Sequence, residues 1–416
     1  MFQVSRIVRY RVSLVLLLGL LDAGCSRCAD KTVNPSRMTT VNPPSVAWET
    51  PSDDECRLFA ESLEKAMLAG NVDAFVAAVD WDSMLDRATA STEASEKDRH
   101  AFIASAKESL IAPGSNLRHL VQQAANGNFR FLCVQTAGKE KQVVFRVLAP
   151  DGRWNYYRLV LGHTTDSRVR AVDWYFIGNG MVLSQYCRRM FLPVVAATSQ
   201  SALARLTQSE KDFIRNADKF KQISIELRNG RNEQVLKIYA TLPPSLQKEK
   251  FFLLARTQAA AVVGEKEHLD ALEAFQAYCP GDPCLDVLLI DHYRLKKQFD
   301  RALASIDTLD KAVGGDPYLN VLRARMHIEK NDFAKARECA QKAVAAEDTL
   351  QLAYWSLITA CLGSKDFAET NRLLTAVQEK CGAKIDDLTT IPVYAEYVKS
   401  PEYKEWLEKQ RRKEVP

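Results

Sequence analysis

YRLKKQFDRALASIDTLDKAVGGDPYLNVLRARMHIEKNDFAKARECAQKAVAAEDTLQLAYWSLITACLGSKDFAETNRLLTAV, residues 293–377, repeats itself at a fixed interval. Phe299, Phe333 and Phe367 stand 34 residues apart, preceded by Gln298, Asp332 and Asp366. Small or apolar residues keep step behind them: Ala302, Ala336 and Thr370, then Ile306, Ala340 and Leu374, then Leu309, Ala343 and Val377. Columns in register at this spacing predict paired helices, each pair burying one face on its neighbour. Such a stack leaves a long surface open to another molecule. No set of residues in the stretch names a reaction.

The period and its columns resemble the tetratricopeptide repeat. The resemblance implies three helix pairs ending near Gly314, Asp348 and Gly382, with Val287, Val321 and Trp355 on the first helices and Ile290, Ala324 and Ile358 three residues on. Ile is larger than the usual Gly or Ala of that column, and Arg323 stands where the family commonly has Leu. The resemblance places Asp291, Arg294, Arg325 and Trp355 on an inner surface that binds a protein or peptide; the other reading makes Trp355 core and the charges solvated. The basic and Asn set by which some of these domains clamp a C-terminal carboxylate is absent. Upstream, helical periodicity from Thr207 makes degenerate pairs, since Leu269 precedes Phe299 by 30. The repeat region is assigned to 200–390. A capping helix is expected over 391–416, with Tyr394, Tyr397, Tyr403 and Trp406 inward and Lys404, Glu405, Glu408 and Lys409 wet.

A chain of 416 residues is long enough for two or three domains. Its 56 basic and 52 acidic residues give a formal charge of +4; without residues 1–24, which hold Arg6, Arg9, Arg11 and Asp22, the balance is 53 to 51. That near-neutral body gives no electrostatic footing for nucleic acid. The ten cysteines form no paired CxxC set with intervening histidines, so a zinc site is not expected. No other metal site and no cofactor is expected. Cys279 and Cys284 bracket a Pro-Gly-Asp-Pro turn: they form a disulfide if the compartment is oxidising, or remain two packed thiols.

Residues 1–24 carry three arginines and then an apolar run from Val12 to Leu21. The run is too short to cross a hydrocarbon core of roughly 30 Å and reads as an export signal. Its end, Leu21, Ala23, Gly24 and Cys25, resembles the bacterial lipoprotein signal, with Asp22 departing from the aliphatic residue usual there. The resemblance implies lipidation of Cys25 and anchorage to the envelope membrane facing the periplasm; cleavage after the small residues into a soluble periplasmic or secreted form is the alternative. Residues 25–54, with Pro35, Pro43, Pro44 and Pro51 among Thr, Ser and Asn, read as a disordered tether.

Between 55 and 199 the pattern is helices first and strands afterwards. Leu58, Phe59, Leu63, Ala66 and Met67 share a helical spacing; a second helix is expected from Val72 toward Ala88, a third over Glu96 to Leu110, and a short one over Leu117 to Ala125. Asp80, Trp81 and Asp82 pair two carboxylates, and capping is the role they read as. Four strands follow, around Phe129, Val143–Leu148, Trp154–Leu161 and Val169–Ile177, with Asp151 and Gly152 marking a hairpin. The fold class is α+β, helices on one face of a curved antiparallel sheet, leading into an all-α helical stack. This order resembles the nuclear-transport-factor-2-like cone, and the resemblance implies an inward pocket with His119, Tyr157, Asp173 or Trp174 as candidates. No motif of the catalytic members lies over these positions. The expected function is a non-enzymatic interaction or scaffold protein of the bacterial envelope; the alternative is a small-ligand binder or enzyme using the cone pocket.

Overall fold

The computed structural model describes residues 49–414 apart from 91, 93, 150–152 and 199. The leader, Cys25 and most of the tether lie outside the described residues. The chain divides into two compact units, one ending at Leu285 and the other running from Asp286 onward.

The first unit opens with α1 (Asp53–Leu68), α2 (Val72–Ala78), α3 (Trp81–Thr89), α4 (Glu96–Ile111) and α5 (Asn116–Ala125). Ser52 starts α1 through a reciprocal capping box with Glu55. The expected single helix from Val72 is two, because Val79 turns extended to bridge Ala171 and the Asp80 N–H donates to the Ala171 carbonyl at 2.8 Å. Asp80 then caps α3 by accepting the Ser83 N–H, while Asp82 pairs with Lys107 at 2.6 Å.

The strands β1 (Asn128–Ala137), β2 (Glu140–Leu148), β3 (Trp154–His163), β4 (Val169–Phe176) and β5 (Met181–Val182) form an antiparallel meander in sequence order. Bulges at Phe131/Cys133 and Val160/Leu161 break the alternation that sequence spacing alone would give. Gly127 joins α5 to β1 where an added Cβ would lie 1.9 Å from the Leu148 carbonyl oxygen, so no other residue fits.

Helices α1, α3, α5 and α6 (Leu183–Thr198) pack on the sheet. Under them Phe75, Phe129, Phe145, Tyr157, Trp174 and Phe176 make one aromatic layer; Trp174 stacks on Phe176 at 4.1 Å and Phe129 on Phe145 at 4.6 Å. The helices α7 (Gln200–Arg205), α8 (Gln208–Arg215), α9 (Ala217–Arg228), α10 (Asn232–Ala240), α11 (Pro244–Gln247), α12 (Lys250–Val263) and α13 (Glu265–Tyr278) follow. The core of the sheet continues into them through Phe213, Phe220, Ile223 and Phe252. An antiparallel sheet with helices before and after it makes this an α+β chain.

The second unit is helical: α14 (Pro283–Leu295, which enters it at Asp286), α15 (Phe299–Val313), α16 (Pro317–Glu329), α17 (Phe333–Ala346), α18 (Gln351–Gly363), α19 (Phe367–Cys381) and α20 (Pro401–Glu414). The three phenylalanines open α15, α17 and α19. Two residues before each, Lys297, Asn331 and Lys365 are left-handed (φ 55°, 60°, 60°). The next N–H closes each turn on a carbonyl five residues back, Gln298 on Tyr293, Asp332 on His327 and Asp366 on Cys361, at 2.8–2.9 Å. Neighbours pack in order from α15 to α19, and α16 also touches α18. Arg323 is half-buried, and Asp307 and Asp310 accept from it at 2.8 and 2.7 Å.

At the end, Pro392–Tyr394 and Tyr397–Lys399 are short 3-10 turns and only Pro401–Glu414 is α-helix. Pro392 and Pro401 interrupt the backbone ladder, and Ser400 Oγ caps the new helix by accepting the Tyr403 N–H. Tyr394, Tyr397, Tyr403 and Trp406 bury against Ile358, Cys361 and Leu374.

Candidate functional site

The four residues nominated for a cone pocket are not brought together. His119 is exposed on α5 beside Gln123. Tyr157 and Trp174 are fully buried in the aromatic layer, their ring centroids 4.9 Å apart, and burial pushes the Tyr157 hydroxyl well above the usual phenol range. The helix-covered face of the sheet is filled by rings. Asp173 lies on the strand's other face and is 2% exposed. Its Oδ1 accepts from the Trp174 and Ser184 N–H groups at 2.8 and 3.1 Å and its Oδ2 from Ser184 Oγ at 2.5 Å, while Arg87 Nε stands 3.6 Å away. The carboxylate thus fastens β4 to the first turn of α6, and burial raises its pKa against the opposing pull of Arg87.

A polar concavity of about 660 Å³ lies on that other face, within the first unit. Gln142, Arg158 and Tyr175 form its sheet wall, Arg87 and Lys250 enter from α3 and α12, and residues 278–283 close one side. Arg158 and Tyr175 are cross-strand partners on β3 and β4. Tyr175 donates to Asp282 Oδ1 at 2.7 Å; the Cys284 N–H donates to the same oxygen at 2.9 Å, and Lys250 pairs with Oδ2 at 2.7 Å. Lys250 Nζ is 5.0 Å and Arg158 Cζ 5.7 Å from the Tyr175 ring centroid, cation–π distances that hold both charges beside the ring. Burial lowers the Arg158 pKa and raises that of Tyr175. Cys279 and Cys284 are both thiols, with no disulfide between them; Cys284 is buried with its Sγ 3.6 Å from the Gly178 carbonyl oxygen, and Cys279 is half-buried at the concavity.

In the second unit, three of the four nominated surface residues do meet. Asp291 and Arg294 pair along α14 at 3.3 Å, and Arg294 reaches Glu329 of α16 at 3.4 Å, where Arg325 also pairs at 3.1 Å. Burial raises the Asp291 pKa against the pull of Arg294 and Arg325. Trp355 on α18 is half-buried against the terminal core and takes no part in this network. Glu329, which joins the two arginines, was not singled out from sequence, although its spacing four residues after Arg325 is an ion-pair signal. Arg158, Lys250 and Asp282 carried no such signal, because they come together only through strand pairing and a distant loop.

Among the described residues there is no group of three His, Cys, Asp or Glu able to hold a metal, and no helix long and apolar enough to cross a membrane. No protein-family model, no curated protein and no solved structure matches this chain at a significant level.

Proposed function

We propose that residues 286–416 are a tetratricopeptide-type helix stack that holds a segment of another protein, without catalysis, in a chain exported and tethered to the bacterial envelope through lipid on Cys25. The observation that carries this reading is the 34-residue recurrence of the same turn: helix start, left-handed residue and closing hydrogen bond repeat together at Phe299, Phe333 and Phe367. A repeat of that length has neighbours to bury against and a free face to offer. Asp291, Arg325 and Thr359 stand 34 apart on α14, α16 and α18, so the charged network and Trp355 sit along one run of first helices. The α+β unit, its helix-covered face filled by aromatic rings, serves as an accessory domain of nuclear-transport-factor-2-like type.

A photo-crosslinking amino acid at Thr359, compared with one at Lys342 on α17, tests the assignment in cells. A discrete adduct from position 359 and none from 342 is expected; equal capture from 342, or none from 359, overturns it. Labelled palmitate incorporated by the wild-type chain and lost in Cys25→Ala tests the anchor, and equal labelling in the variant ends that part of the reading.

A further inference from the structure

Helix α1 turns one row of residues, Cys56, Ala60, Leu63 and Met67, into the core. Glu55, Phe59, Ser62 and Ala66 follow one another at the spacing of a single helix face and make one flank of the same helix. From Phe59 onward that flank borders an open groove of about 540 Å³, lined also by Val76 and Ala77 of α2 and by Val169 at the start of β4. Phe59, Val76 and Val169 are only half-buried there. Apolar surface left in water favours whatever covers it.

Where the chain enters the domain decides what that is. Glu49 is the first described residue, and its carbonyl accepts from the His163 N–H at 3.0 Å. His163 pairs across β3 and β4 with Val169, which lines the groove, and its Nε2 lies 3.4 Å from Glu55 Oε1, one turn before Phe59. The chain is thus pinned about two strand spacings, roughly 10 Å, from the groove. The eight residues before it, VNPPSVAW at 41–48, hold no charge and end in Val46, Ala47 and Trp48. Extended, they reach at most about 29 Å, more than the gap requires. A segment tied so close has an effective concentration on the order of millimolar, which a second copy or a separate partner has to match in solution. At about 1 mM, a contact with a Kd of about 0.1 mM is filled about nine-tenths of the time.

We infer that residues 41–48 dock in this groove between α1, α2 and β4, with Val46 and Trp48 as the apolar contacts. The tether then leaves the body near residue 40 and not at α1, and residues 26–40 alone separate the body from Cys25. The contact belongs to the first unit and stands independently of the partner surface proposed for residues 286–416 and of lipid on Cys25.

Photo-crosslinking of the full-length chain tests it, with a benzophenone amino acid at Val46 and, separately, at Asn42. Adducts mapped by mass spectrometry are expected within one chain, on residues 59–81 or 168–170. A mixture of isotopically light and heavy chains identifies a second copy in the groove, since its adducts join light to heavy. Hydrogen exchange is the second measurement. The amides of Ser45, Val46 and Ala47 are expected to exchange at least about tenfold more slowly than in a free peptide of residues 38–48, and to lose that protection in Trp48→Asp. Unchanged exchange in the sheet of that variant shows that its fold is intact. Adducts scattered over the surface or joining two chains, no protection of residues 45–47, or full protection in a folded Trp48→Asp protein overturns the proposal.

Discussion

Gly363 is the last residue of α18, and a Cβ placed on it would lie 2.2, 2.4 and 2.5 Å from Cε1, Cδ1 and Cζ of Phe333. Three ring atoms inside van der Waals contact mean that Gly363→Ala forces the ring, and with it the first turn of α17, away from α18. Overpacking of this kind costs about 1–3 kcal/mol, and the helix preference of alanine over glycine returns up to about 1 kcal/mol. Phe333 is half-buried, so part of the strain relaxes toward solvent. The expected net loss is about 1 kcal/mol. Urea unfolding of the full chain, with hydrogen exchange at α17 and α18 to localise the effect, measures it. A double-mutant cycle with Phe333→Ala isolates the contact: once the ring is gone, Gly363→Ala becomes neutral or stabilising. Equal cost in both backgrounds, or stabilisation with Phe333 present, refutes the claim that ring-on-glycine packing sets the approach of these helices.

Asp366 caps α19 by accepting the Glu369 N–H and pairs with Arg337 at 2.8 Å. Asp366→Ala is expected to cost about 1 kcal/mol in urea unfolding, whereas Asp366→Asn keeps the cap and loses only the charge. The hydrogen bond from Arg337, the largest influence, holds the Asp366 carboxyl below its ordinary value. A depressed carboxyl stabilises the fold above its unfolded pKa of about 4 and loses that contribution as pH falls through the folded value, so wild-type stability drops more steeply below about pH 4 than that of Asp366→Asn. Parallel acid profiles of the two proteins contradict this. In the first unit, Gly127→Ala drives a Cβ against the Leu148 carbonyl, a backbone atom that cannot rotate away. A loss above about 3 kcal/mol, seen as failure to accumulate folded protein, is expected, and a near-wild-type melting temperature counts against so close an approach of Gly127 to β2.

The local chemistry of the chain was legible from its residues wherever a signal lies within one or two turns. The 34-residue period placed the starts of α15, α17 and α19, each preceded by the same left-handed turn at Lys297, Asn331 and Lys365, and the order of helices before strands gave the α+β class. Asp80 was readable as a cap for the same reason: its partner is three residues away. What the tertiary structure decided is what distant segments do to each other. The bridge from Val79 to Ala171 split one expected helix into two, and proline placement with the Ser400 cap turned much of the expected terminal helix into 3-10 turns packed through tyrosines. The aromatic rings that fill one face of the sheet, and the cations gathered with Tyr175 on the other, are set by strand register and bulges. Register is a property of pairs of segments, so no single stretch of sequence encodes which faces meet.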